Sequence, residues 1–273
     1  MSKLIRVFPR RTSFLPQDDL VFVGDPPLWR PQADRVHISV AFTWDMMEGK
    51  RLAAAWGQFY PVSICRPALN SPCDEFTPGL YTKHGVTFTS RGCDHSCPWC
   101  LVPGREGKLH LLNIAPGHII QDNNFLQTGR DHMERVFEML KVQRRPATFS
   151  GGLEADLIDD WVVDKLKGLR IEQVFLSCDT DGALRTVTKA AQKLAFLGRN
   201  KLRCYVLLGF SGESLAKGEA RLERIWELGF LPFAQLYQPS EHWIEYSSEW
   251  RRLARRWSRP AATKALHYGT RGV

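Results

Sequence analysis

No stretch of this 273-residue sequence is apolar for long enough to span a bilayer. Runs such as Tyr205-Val206-Leu207-Leu208 stop far short of the roughly 20 residues that a membrane helix needs. The first eleven residues carry Lys3, Arg6, Arg10 and Arg11, but no apolar segment follows them, so no secretory leader is expected. Low-complexity tracts and internal repeats are missing as well. The seven cysteines are odd in number and unevenly spread, which argues against a secreted disulfide scaffold. A soluble, cytoplasmic protein with no membrane partner is the expectation.

Acidic residues are absent from 250–273, where Arg251, Arg252, Arg255, Arg256, Arg259, Lys264 and Arg271 all lie. The formal charge of +8 therefore sits at the two ends, and the body between them is slightly negative. The overall basic balance is poor support for a nucleic-acid-binding body, but it leaves a basic terminal patch open. The apolar fraction of 44% and charged fraction of 24% are those of a folded globular chain rather than a disordered one. The length suits one large α/β domain with a small attachment.

Residues 1–80 show a β–β–α–β pattern, with strands at 21–23, 36–42 and 62–65. The intervening helix runs through Leu52 to Trp56, and Asp45 is a candidate cap for it. The Pro/Asn/Gly-rich stretch 66–79 is the expected boundary. From Gly85 onward strands alternate with helices. The strands are expected at 86–91, 118–122, 147–151, 174–179, 203–209 and 231–237, the helices at 132–145, 156–169, 183–197 and 215–228. Six such strands imply a parallel sheet, open or bent into a partial barrel. The division is then 1–80, 81–239 as the core, and 240–273 as a basic helical tail.

Cys93, Cys97 and Cys100 crowd into eight residues just after the first strand of that series. A C-x3-C-x2-C loop can wrap three thiolates around an iron–sulfur cluster, leaving one iron open. Structural zinc with His95 or another residue as fourth ligand is the alternative, although zinc sites more often use two separated C-x2-C pairs. Three unrelated thiols is the blandest reading.

The motif, with aromatic Trp99 just before the last cysteine, resembles the signature loop of the radical SAM superfamily, and the resemblance extends over about residues 85–237. It implies a six-strand partial (β/α) barrel and a [4Fe–4S] cluster on Cys93, Cys97 and Cys100. The open iron would bind S-adenosylmethionine (SAM), and one electron would cleave SAM to a 5′-deoxyadenosyl radical that takes hydrogen from a substrate. Trp99 would shield the cluster. Ile119-Ile120-Gln121-Asp122-Asn123-Asn124-Phe125 is similar to the acidic second-strand motif of cobalamin-dependent members, which implies Asp122 and Asn123 at the SAM amino group. Ser150-Gly151-Gly152-Leu153-Glu154 follows the third strand, so Glu154 is expected to face SAM or substrate. Asp179 would reach a ribose hydroxyl. Gly209 and Gly212, in Leu208-Gly209-Phe210-Ser211-Gly212-Glu213, resemble the glycine motif that passes the adenine. Ordinary turn formation competes for each of these residues.

Only about seventeen residues separate Cys100 from the second strand, so an irregular loop is expected there. In it Arg105 and Glu106 either contact a ligand or form a surface turn. The first 80 residues resemble a shortened cobalamin-binding or methylthiotransferase N-terminal domain, a degenerate Rossmann-like appendage. They lack D-x-H-x-x-G, so no cobalamin is expected. With only Cys65 and Cys73 there, a second cluster lacks its third ligand, and Cys65 reads as a small buried residue. No cysteine follows Cys204, so no auxiliary cluster is expected beyond it. Cys178 and Cys204 read as inert packing.

In the tail, residues 241–259 read as one helix. Trp243, Tyr246, Trp250, Leu253 and Trp257 share one stripe, and Arg251, Arg252, Arg255, Arg256 and Arg259 lie opposite. Two readings stand for the arginines: a solvated face, or a phosphate-contacting surface for RNA, DNA or another anion. An electron donor such as flavodoxin or ferredoxin is the other implied partner. Within the enzyme class, the arginine face alone favours modification of a nucleic acid or nucleotide, with small-molecule biosynthesis as the alternative. A non-catalytic, metal-stabilised nucleic-acid-binding protein is the alternative outside it.

Overall fold

The computed structural model describes residues 3–65, 71, 76–240 and 242–268, and it divides into two compact units, Met1–Val86 and Thr87–Val273. Most of the stretch 66–79, including Cys73, lies outside the described residues. Among those described, no helix is long and apolar enough to cross a membrane.

The first unit holds β1 (Leu4–Phe8), β2 (Val21–Val23), β3 (Arg35–Ser39), α1 (Met46–Trp56) and β4 (Val62–Cys65). They form a parallel sheet in the order β2-β1-β3-β4. The expected strands and helix are present, but β1 is an addition. Every residue of Leu-Ile-Arg-Val-Phe is buried. Arg6 tolerates this because Asp18 takes its guanidinium. Ile5, Val7, Val36, Ile38, Val40, Leu52 and Trp56 make the core. Asp45 precedes α1 but donates no side-chain cap; its buried carboxylate accepts from the guanidinium of Arg10 instead. Cys65 is buried and disulfide-bonded, not a free packing thiol.

The second unit is built on six strands: β5 (Val86–Thr87), which starts at the junction, then β8 (Ile119–Ile120), β9 (Ala147–Phe149), β10 (Ile171–Ser177), β11 (Leu202–Leu208) and β12 (Leu231–Leu236). They lie side by side in chain order, and the pairs from β8 to β12 are parallel. Between them run α3 (Arg130–Lys141), α4 (Asp160–Lys167), α5 (Leu184–Lys193) and α6 (Leu215–Glu227). Each helix turns an apolar stripe to the sheet, and a single core joins Phe125, Phe137 and Phe149 to Val174, Leu176, Val206 and Leu222. Helix α4 is capped by Asp159, which accepts from Val162 N at 2.9 Å. Cys178 and Cys204 are fully buried, and burial pushes the Cys178 thiol up to about 12.

Two expectations need correction in this unit. The segment after Cys100 is not an irregular loop: it forms a one-turn helix, α2 (Val102–Glu106), and then β7 (His110–Leu111), antiparallel to β6 (Ser90–Arg91). The tail is not one helix from 241. Glu241 lies outside the described residues, 242–247 are irregular, and α7 (Ser248–Ser258) is followed by α8 (Pro260–Tyr268). Arg259 is extended, as a residue before proline must be, and Pro260 then opens the new helix. Leu253 and Trp257 are buried and Trp250 partly so, but Trp243 is 62% exposed and does not join the stripe.

Candidate functional site

The cysteine loop, residues 92–100, has little regular structure and is fixed by its neighbours. Gly92 opens it with φ +77, and a Cβ there would come within 2.2 Å of Lys108 O, so only glycine fits. Gly92 N donates to Asn123 Oδ1 at 3.2 Å and Cys93 N to Gly107 O at 3.2 Å. The three thiols share one field. Burial raises the Cys97 thiol first, and neighbouring Cys100 and Cys93 add to that. Cys100 is the most open of the three, yet burial of its sulfur still leads its upward shift, with Cys93 contributing.

The expected site residues fall into two groups on either side of this loop. Beside Cys93 stand Asn123, Asn124 and Glu154 from the ends of β8 and β9. Glu154 Oε1 bonds His95 Nε2 at 2.8 Å, and its Oε2 accepts from Asn124 Nδ2 at 2.7 Å and Gln127 Nε2 at 3.2 Å. Gln127 Oε1 accepts from Asp94 N at 3.0 Å and from the Cys93 thiol at 3.6 Å. A cavity of about 270 Å³ adjoins them, lined in part by His95, Asn123, Asn124, Gly152, Glu154 and Ser177. Asn124 is 7% exposed, and its Oδ1 has no hydrogen-bond partner.

On the other side stand Asp179 and Trp99. Burial pushes the Asp179 carboxyl up, while hydrogen bonds from Leu207 N, Ser177 and the Trp99 indole hold it down. Trp99 also meets Phe210 edge-on at 5.4 Å. The aromatic residue of the motif thus ties the loop to the ends of β10 and β11.

Four of the expected residues are engaged by the protein itself. Asp122 is 1% exposed, and its carboxylate accepts from Thr89 N at 2.6 Å, Thr89 Oγ1 at 2.5 Å and Ser90 Oγ at 2.8 Å. It ties the β5–β6 connection to the end of β8; the expected strand 86–91 is broken here into two short ones that belong to different sheets. Gly209 takes φ +76, and a Cβ would come within 2.7 Å of the Tyr246 ring, so a tail residue covers it. Tyr246 is held there by its hydroxyl, which donates to Tyr237 O at 2.9 Å. Gly212 closes the turn Phe210–Gly212, whose neighbour Glu213 is drawn onto the buried Arg221 at 2.6 Å. Glu106 is 8% exposed and is engaged by Arg91 and Arg105, both at 2.7 Å, as a brace for α2.

Gln127 is a site residue that the sequence does not advertise. It lies in a short turn, Phe125–Thr128, outside any motif, and it meets the loop only through tertiary folding. His95 stands out in the sequence only as a zinc alternative. Among the described residues, no group of three or more His, Cys, Asp or Glu side chains is gathered closely enough to hold a single metal ion.

These features define a parallel α/β protein with a thiol-bearing loop after the first strand of a six-stranded sheet. No protein-family model matches the chain, and a comparison with curated proteins finds no match.

Proposed function

We propose that this protein is a radical SAM enzyme and that its six-stranded sheet forms the partial (β/α) barrel of that superfamily. The observation that carries the reading is the position of the C-x3-C-x2-C loop. It follows the first strand of the sheet, and Asn123, Glu154 and Asp179 come beside it from the ends of the second, third and fourth strands. Strand ends converging on one loop are where such folds assemble their chemistry.

The residues present fit a four-iron cluster. The donors are three thiols, and a cluster takes each on a different iron, so they need not converge on a point as zinc ligands must. Cys93, Cys97 and Cys100 would hold it, and when bound it supplies the electron that cleaves SAM to a 5′-deoxyadenosyl radical. Trp99, bonded to Asp179, would fasten the Cys97–Cys100 end of the loop beside the cluster. Asn124, whose buried Oδ1 has no hydrogen-bond partner, lines the adjoining cavity. Asp179, held near the Cys97–Cys100 end, is suited to accept from a ligand hydroxyl. Flavodoxin or ferredoxin is the class of electron donor this chemistry requires.

For the substrate we favour a polynucleotide. Arg251, Arg252, Arg255 and Arg259 are exposed on and just after α7 and make no ion pair among the described residues. Arg256 does not belong to this set, because Glu219 on α6 pairs with it.

Anaerobic reconstitution tests the enzyme reading. The protein should take up about four irons, and none in stable form when Cys93, Cys97 and Cys100 are replaced by Ala. Reduced with dithionite and given SAM, it should release 5′-deoxyadenosine. Stoichiometric zinc in anaerobically purified protein, with no iron uptake, would favour the metal-stabilised binding protein and overturn the enzyme.

A further inference from the structure

Glu154 lines the cavity, but both oxygens of its carboxylate already have partners in the protein. Its Oε1 bonds His95, inside the cysteine motif, while Oε2 takes the amides of Asn124 and Gln127. Those two amides also reach the Cys93 sulfur, with Asn124 Nδ2 at 4.0 Å and Gln127 Oε1 at 3.6 Å. One acceptor-only group therefore gathers three side-chain donors, one from the cysteine motif and two from the turn after β8. Its own position is set by the core. Leu153 is 3% exposed, and its N–H donates to Phe175 O on β10 at 2.7 Å. Charge-assisted bonds of this kind are roughly twice as strong as neutral ones, and the carboxylate is only 20% exposed.

We infer that Glu154 is a positioning residue: it anchors the N-terminal half of the cysteine loop to the sheet through His95, Asn124 and Gln127, instead of contacting a ligand. The role rests on the proposed cluster for its chemical purpose, but the anchoring itself does not. A carboxylate is required because an amide would turn an NH2 group toward at least one of the donors. Glu154→Gln should accordingly be intermediate and Glu154→Ala severe.

Two measurements on the full chain decide this. In anaerobically purified protein without SAM, Glu154→Ala should speed amide hydrogen exchange across residues 93–97 about tenfold, leaving β10 and β11 unchanged. In reconstituted protein, iron loss to a chelator should also quicken about tenfold, the usual effect of removing a group that orients a metal ligand. Unchanged exchange and iron retention together with weakened SAM binding would overturn the inference and make Glu154 a ligand contact. If Glu154→Ala does not fold, His95→Ala and Glu154→Gln carry the same test, with smaller accelerations in the same segment; no acceleration in either overturns it. If the parent takes up no iron, the cluster reading fails while the exchange measurement still decides the anchor.

Discussion

Asp122 and Glu154 are carboxylates at neighbouring strand ends with contrasting situations. Asp122 is sealed inside with three donors from Thr89 and Ser90, and burial pushes its carboxyl up against those hydrogen bonds. Asp122→Ala orphans a buried backbone N–H and two hydroxyls, at a cost of about 3 kcal/mol. A lower denaturant midpoint with an unchanged slope is the expected result. Unaltered stability with weaker SAM binding would return Asp122 to the ligand role its motif implies. At this scale the sequence is legible where chemistry demands a spacing, as for the three cysteines and Trp99. It is opaque where an acidic side chain can serve a ligand or the protein's own backbone, because both uses need the same residue at a strand end. Gln127 is opaque for another reason, since its contacts exist only once β8 and the loop are adjacent.

Among the elements, α7 shows how one apolar stripe divides. Trp257 is fully buried and Leu253 nearly so, and Ser258 donates to Ala234 O on β12 at 2.8 Å. Trp243 lies before the helix begins and stays mostly exposed. Trp257→Ala should therefore cost about 3–5 kcal/mol, and Trp243→Ala less than about 1 kcal/mol. Thermal melts of the two variants check this, and equal losses would mean that Trp243 is also a core contact. The helices and strands of the second unit were readable because their periodicity is sustained over several turns or a buried run. β1 was not, because Arg6 breaks its short apolar run and only its pairing with Asp18 lets it be buried. α8 was not, because Pro260 reads as a stop although it also suits a helix start.

At the scale of the whole molecule, the charge that matters is the part left unpaired. Most basic residues of the second unit's helices have acids beside them, as Lys165 has Glu134 at 2.5 Å and Arg224 has Glu227 at 2.8 Å. The exposed arginines of α7 do not. Guanidinium groups suit phosphate because they offer paired donors, and the apolar side of α7 is already committed to the core, which leaves nothing to insert into a lipid surface. Replacing Arg252, Arg255 and Arg259 together with Ala should weaken RNA or DNA binding uniformly across sequences. The salt dependence should flatten by about one unit per lost phosphate contact. Filter binding over a salt series reads both. A parent with no affinity at low salt, or a triple variant with undiminished affinity, would leave α7 as a solvated face.

The strands of the large sheet lie beside one another in the order in which they are synthesised. A growing chain can therefore add each strand to an edge that already exists, without waiting for a later partner. Every side chain that grips the Cys93 end of the loop has left the ribosome once residue 154 is out. The partners of Trp99, Asp179 and Phe210, emerge later, and Tyr246, which covers Gly209, comes after both. The loop is thus secured from one end first, and its second fastening arrives only with the fourth and fifth strands. During that interval the Cys97–Cys100 end lacks its second fastening, so the loop is looser then than in the finished fold.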